Sequence, residues 1–115
     1  MAYQDNSTSY AFGQMGSILT NAGEDAISPN DVAGMESAVF VAITFVEDTV
    51  FDSTNGLVPE TNGKFFGSNA PAGSGIDADG WRVTDGITFT AGMTIYGRWT
   101  EIDLASGVII AYVGY

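Results

Sequence analysis

The ten residues from Ser37 to Val46 constrain this chain more than any other segment. They are rich in β-branched and aromatic side chains and contain no glycine, proline or charge. In an extended chain Val39, Val41, Ile43 and Phe45 take one face, and Phe40, Ala42, Thr44 and Val46 the other. Both faces are largely apolar, so such a strand belongs in the middle of a sheet, covered on both sides. Glu47-Asp48 interrupts before Thr49-Val50-Phe51 resumes, which predicts a bend or bulge at the acidic pair.

The last third of the chain repeats this β character. Ile87-Thr88-Phe89-Thr90 alternates, and Met93-Thr94-Ile95-Tyr96 follows after Ala91-Gly92. Thr100 to Leu104 alternates again, with Ile102 and Leu104 on one face and Glu101 and Asp103 on the other. Ala105-Ser106-Gly107 reads as a short turn, with Val108 to Val113 completing a hairpin. The apolar parity differs between Ile95 and Ile102, so an irregularity near Gly97-Arg98-Trp99 must switch faces.

The remaining segments are weaker. Residues 1–17 are polar with scattered aromatics and read as an N-terminal arm. Ile18-Leu19 begins a short apolar stretch that ends in the turn signal Asn21-Ala22-Gly23. Residues 30–38 fit at most one helical turn, capped by Asn30 or Asp31, because Gly34 in its interior costs about 1 kcal/mol. Residues 52–86 hold seven glycines and two of the three prolines. A long Gly-rich insert of this kind is either a functional loop or a region ordered by a neighbour. Its large anchors are Phe65, Phe66 and Trp81. Together these signals predict an all-β chain: a β-sandwich or small barrel, a jelly roll among them, forming one domain over 18–115.

Composition removes most enzyme chemistry. With no cysteine and no histidine in 115 residues, the chain has no thiolate nucleophile, imidazole base, disulfide or Cys/His zinc site. A net charge of −11 opposes binding to nucleic acid or to an anionic membrane. The N-terminus has neither the basic nor the apolar region of a secretory signal. The run Val108 to Val113 is far short of a membrane span, so the expectation is a soluble protein made in a cytoplasm. Hydrophobic residues make up 45% of the chain and charged ones only 15%, against about 25% in ordinary soluble domains. A surface so poor in charge suits a subunit of an assembly.

No motif carries catalysis. Asp77-Ala78-Asp79-Gly80 resembles the start of a calcium loop, but an EF-hand needs an oxygen ligand where Trp81 stands and a glutamate where Thr88 stands. An ordinary turn is the simpler reading. Glu47-Asp48 and the group Asp77, Asp79, Asp85 are the densest carboxylates, and they read as solvated acids that discourage edge pairing. Gly13-Gln14-Met15-Gly16-Ser17 and Gly73-Ser74-Gly75 lack a phosphate-loop lysine and read as turns. Lys64, Arg82 and Arg98 are expected to pair with nearby carboxylates. Arg98 between Tyr96 and Trp99 has the composition of an interface hot spot, or of a buried aromatic core with arginine at its rim. The candidate interface residues are Tyr10, Phe12, Phe65, Phe66, Tyr96, Arg98, Trp99 and Tyr115. No catalytic, cofactor-binding or metal-binding residue is expected.

The stretch from Val39 to Thr49 resembles a segment that recurs in small virion proteins of marine tailed phages, notably those infecting cyanobacteria. Residues 92–103, continuing through 106–112, are similar to the C-terminal block of those proteins, and Gly16-Ser17-Ile18-Leu19-Thr20 matches less specifically. The resemblance implies a non-enzymatic structural protein of the virion, a capsid decoration or cement protein on the head exterior. Its partners would be the major capsid protein lattice and further copies of itself, as a homo-oligomer and expectedly a trimer. The alternative is a tail- or fibre-associated adhesion or carbohydrate-binding module. In that case Trp81, Phe65 and Phe66 would be stacking platforms, and Asp77 and Asp79 would hold calcium.

Overall fold

A computed structural model describes residues 15–68, 76–77 and 80–115. The strongest sequence segment supplies the central strand, as its two apolar faces require. Seven strands follow in chain order: β1 (Ser17–Asn21), β2 (Val39–Phe45), β3 (Val50–Phe51), β4 (Leu57–Pro59), β5 (Thr94–Ile102), β6 (Leu104–Ser106) and β7 (Val108–Gly114). They form a five-stranded sheet in the order β1-β7-β2-β5-β4 and a two-stranded ribbon of β3 and β6. All of the pairings are antiparallel. The fold is all-β, with the layout of a small β-sandwich.

The core lies on one face of the large sheet. Phe40, Ile43 and Phe45 of β2 meet Ile109, Ala111 and Val113 of β7 and Trp99 and Ile102 of β5. Phe51 and Leu104 bring the ribbon onto this face. Phe89 stacks on Phe45 at 5.0 Å, and Phe51 meets both rings edge-on at 5.9 and 5.4 Å. Edge-to-face and offset geometry of this kind adds to the burial of ring area.

Strict alternation along β2 does not hold, because the register slips between Phe40 and Ala42 against both neighbours. Val41 is the extra residue of a bulge, so Phe40 joins Ile43 and Phe45 in the core instead of facing away from them. The face switch expected near Gly97 is present: Ala42 pairs with Tyr96, but Phe40 pairs with Trp99.

Three local expectations need correction. Val108–Gly114 does not fold back on the preceding strand: β7 pairs with β1 and β2, and β6 pairs with β3. The chain instead changes sheets at Gly107. Its φ is +101°, and a Cβ there would stand 2.3 Å from the Thr49 hydroxyl oxygen. Residues 87–90 form no strand; Phe89 makes a single bridge to Thr49. The helical turn is a 3-10 turn at Pro29–Asp31, capped by Ser28, whose hydroxyl accepts from the Asn30 amide at 3.3 Å. Within the Gly-rich span, Leu57–Pro59 is an edge strand of the main sheet.

Candidate functional site

An open sheet has two edges, and the sequence treats them differently. Strand β4 binds β5 through its even-numbered neighbours: the Asp103 amide donates to Gly56 O at 2.8 Å, and the Glu60 amide to Arg98 O at 2.9 Å. The main-chain groups of Leu57 and Pro59 therefore point outward. Ser68 closes them. Its amide donates to Leu57 O at 2.9 Å, and its hydroxyl accepts from the Leu57 amide at 2.9 Å. Pro59 has no N–H to offer. Gly67 lets this segment lie against the strand, because a Cβ there would sit 2.5 Å from Leu57 O and 2.6 Å from Pro59 Cδ. Phe66 anchors it: the Trp99 indole N–H donates to Phe66 O at 2.8 Å, and the two rings meet edge-on at 5.5 Å.

Strand β1 is the other edge. The Val113 amide donates to Gly16 O at 2.9 Å, and the Ala22 amide to Gly107 O at 3.1 Å. Even-numbered residues thus face β7, so the N–H and C=O groups of Ser17, Leu19 and Asn21 point away from the sheet. Among the described residues these groups meet no partner. Nothing in Ser17–Asn21 carries the usual edge protection of charge, proline or bulge. All three side chains are exposed, and Leu19 at 69% is the most exposed large apolar residue described.

Leu19 borders the outer face of the sheet, opposite the core. Tyr112, Ala42 and Tyr96 form one cross-strand row, with Ala42 paired to both tyrosines. Thr44 and Thr94 form the next row, their hydroxyls 2.9 Å apart. These five residues line a shallow cleft of about 210 Å³. Tyr96 is 63% exposed at its rim.

The expected interface residues divide. Tyr96 and Tyr115 are exposed, and the Tyr115 hydroxyl reaches Met35 Sδ at 3.9 Å. Phe65 and Phe66 are half-buried. Arg98 is partly exposed and pairs with Glu60, Nε to Oε1 at 2.6 Å and Nη2 to Oε2 at 3.1 Å. Through that bond the guanidinium holds the Glu60 carboxyl below its ordinary range, and the carboxylate raises Arg98 in turn. Trp99 is fully buried in the core of the single chain, because the bulge before it turns its ring inward. This is the arrangement of a buried aromatic with arginine at the rim. Tyr10 and Phe12 lie outside the described residues. Sequence reasoning missed β1 as an element, since Ile18-Leu19 breaks the alternation that marks a strand.

Lys64, Arg82 and Asp77 each have a local contact. Lys64 Nζ sits 5.9 Å from the Phe65 ring centroid, and Arg82 donates to the carbonyls of Val83 and Asp85 at 2.5 and 2.7 Å. Asp77 accepts from the Trp81 amide at 2.9 Å, the turn expected of it; Asp79 lies outside the described residues. Among the described residues no three carboxylates converge as metal ligands, and no helix is long and apolar enough to cross a membrane. The chain matches no protein-family model, no curated protein and no solved structure.

Proposed function

We propose that this chain is a non-enzymatic structural protein of a phage virion, decorating the outside of the head. It would bind the major capsid protein lattice together with further copies of itself. The observation that carries this reading is the unprotected β1 edge beside an outer face bearing Leu19, Tyr96 and Tyr112. Strand addition to such an edge supplies main-chain hydrogen bonds, and neighbouring side chains supply selectivity. Binding to the outer surface of an assembled shell stabilises that shell by mass action. The net charge of −11 suits an exterior location away from the packaged genome. Cryo-electron microscopy of the purified particle, with the copy number of this chain, tests the proposal. Hundreds of copies on the head are expected; density in the tail alone, or a few tens of copies, would overturn it.

A second reading, a carbohydrate-binding module of a tail or fibre, is favoured by the cleft between Tyr96 and Tyr112. Two aromatic side chains flank a small residue there, with two hydroxyls beside them. Trp81, by contrast, caps an isolated turn. Glycan-array binding that disappears on Tyr96→Ala supports this reading, and the absence of any glycan binding removes it.

A further inference from the structure

We infer that β1 is a homotypic pairing strand: two copies of this chain join edge to edge, antiparallel, about a two-fold axis at Leu19. The inference does not depend on the virion reading, because it follows from which groups are left unpaired among the described residues.

The outward groups on β1 belong to Ser17, Leu19 and Asn21. In an antiparallel pair, residues that face each other through hydrogen bonds exchange both an N–H and a C=O. Pairing Leu19 with Leu19 of a second copy sets Ser17 opposite Asn21 and Asn21 opposite Ser17. Every residue brought into a hydrogen-bonded position then has outward groups to exchange, giving about six main-chain bonds. A one-residue shift would set outward groups against residues already committed to β7, and a two-residue shift would match only two of the three outward positions, so the Leu19-centred register makes the most bonds. The two Leu19 side chains lie on the same face of the joined sheet, with Cα atoms about 5.5 Å apart. The most exposed aliphatic residue described is thereby covered by its own copy.

Charge permits a second copy as the occupant. The chain carries −11, yet residues 15–23 contain no charged side chain. The first acids beyond the strand, Glu24 and Asp25, follow the turn at Asn21-Ala22-Gly23. In an antiparallel pair the acids of the two copies lie at opposite ends of the joined strands, so like charges are kept apart where the backbones touch. A strongly acidic protein therefore meets its own copy here without the repulsion it would face over most of its surface.

The opposite edge excludes the other self-arrangement. A ring or filament grown by joining unlike sheet edges needs β1 of one copy against β4 of the next. At β4 the Leu57 groups are taken by Ser68, and Pro59 has no donor. Joining between edges of the five-stranded sheet is thus limited to a two-fold pair, in place of the trimer that the sequence resemblance implies. Five residues make a small contact, so the pair is weak when dilute and gains strength where copies are held side by side.

Sedimentation of the full chain across concentration tests the proposal. The wild type is expected to rise from 12.0 kDa toward twice that mass between roughly 10 μM and 1 mM, the range of weak contacts of this size. Leu19→Pro removes the outward N–H and the exposed leucine side chain but no bond to β7, and is expected to stay at the monomer mass with an unchanged far-ultraviolet spectrum. If that variant fails to fold, Leu19→Lys keeps the N–H and sets two cations together. Its association is expected to fall at low salt and return in part at high salt. A wild type that is monomeric throughout, one that sediments as a trimer, or folded variants that associate as well as the wild type would each overturn it.

Discussion

The two edges of the five-stranded sheet face the same physical problem and meet it in opposite ways. At β4 the chain returns to satisfy itself: Ser68 takes both Leu57 groups, Pro59 removes a donor, and Gly67 permits the close approach. At β1 three consecutive outward residues keep both donor and acceptor unmet among the described residues. Both edges carry apolar side chains, but Leu57 is fully buried whereas Leu19 is largely exposed. Natural sheets normally blunt their edges. A chain that seals one edge with three separate devices and, among the described residues, leaves the other bare has an edge suited to another strand.

This contrast can be broken from the sealed side, and the largest effect belongs to Trp99. Its ring fills the core behind β4, and its N–H holds the backbone of Phe66. Trp99→Ala is expected to cost about 3–5 kcal/mol, read from the midpoint of denaturant unfolding. Ser68→Ala is smaller but more specific. It leaves the buried Leu57 amide without its acceptor, at about 1–3 kcal/mol, and faster exchange of the Leu57 amide should accompany the loss. The least effect comes from the Arg98–Glu60 pair, which is exposed. Because Arg98 lowers the Glu60 pKa in the folded chain, the pair stabilises the fold above the ordinary carboxylate pKa. That contribution is lost as pH falls through the lowered folded value. Glu60→Gln is therefore expected to shift the urea midpoint slightly downward at pH 7, with the difference from wild type vanishing in strong acid.

The sequence revealed the middle of the sheet and hid both of its edges, and the reasons are local. The central strand was legible because Ser37 to Val46 is long, uninterrupted and apolar on both faces. The face switch near Gly97 was legible because a parity change between Ile95 and Ile102 admits no other solution. The bulge at Val41 left no such mark, since every residue around it is compatible with either face. Strand β4 was hidden by Gly56 and Pro59, which read as loop, although Pro59 is an outward edge position where proline is tolerated. Strand β1 was hidden because Ile18 and Leu19 are adjacent, and only pairing with β7 shows that one faces the core and the other solvent. Trp99 was read both as an interface anchor and as a buried ring. Composition cannot separate those roles, because both call for an aromatic beside an arginine. The exposed candidates that remain, Tyr96 and Tyr115, stand on or beyond the ends of strands whose inner faces fill the core.

Residue-resolved amide hydrogen exchange on the full chain, dilute and concentrated, tests most directly whether one edge is closed and the other awaits a strand. The account predicts that the Leu57 amide is protected at both concentrations. The amides of Ser17, Leu19 and Asn21 should exchange without protection when dilute and become protected on concentration, while Ile18 and Thr20 are protected throughout. Protection at Leu19 equal to that at Thr20 in the dilute protein, or no gain on concentration, would contradict it.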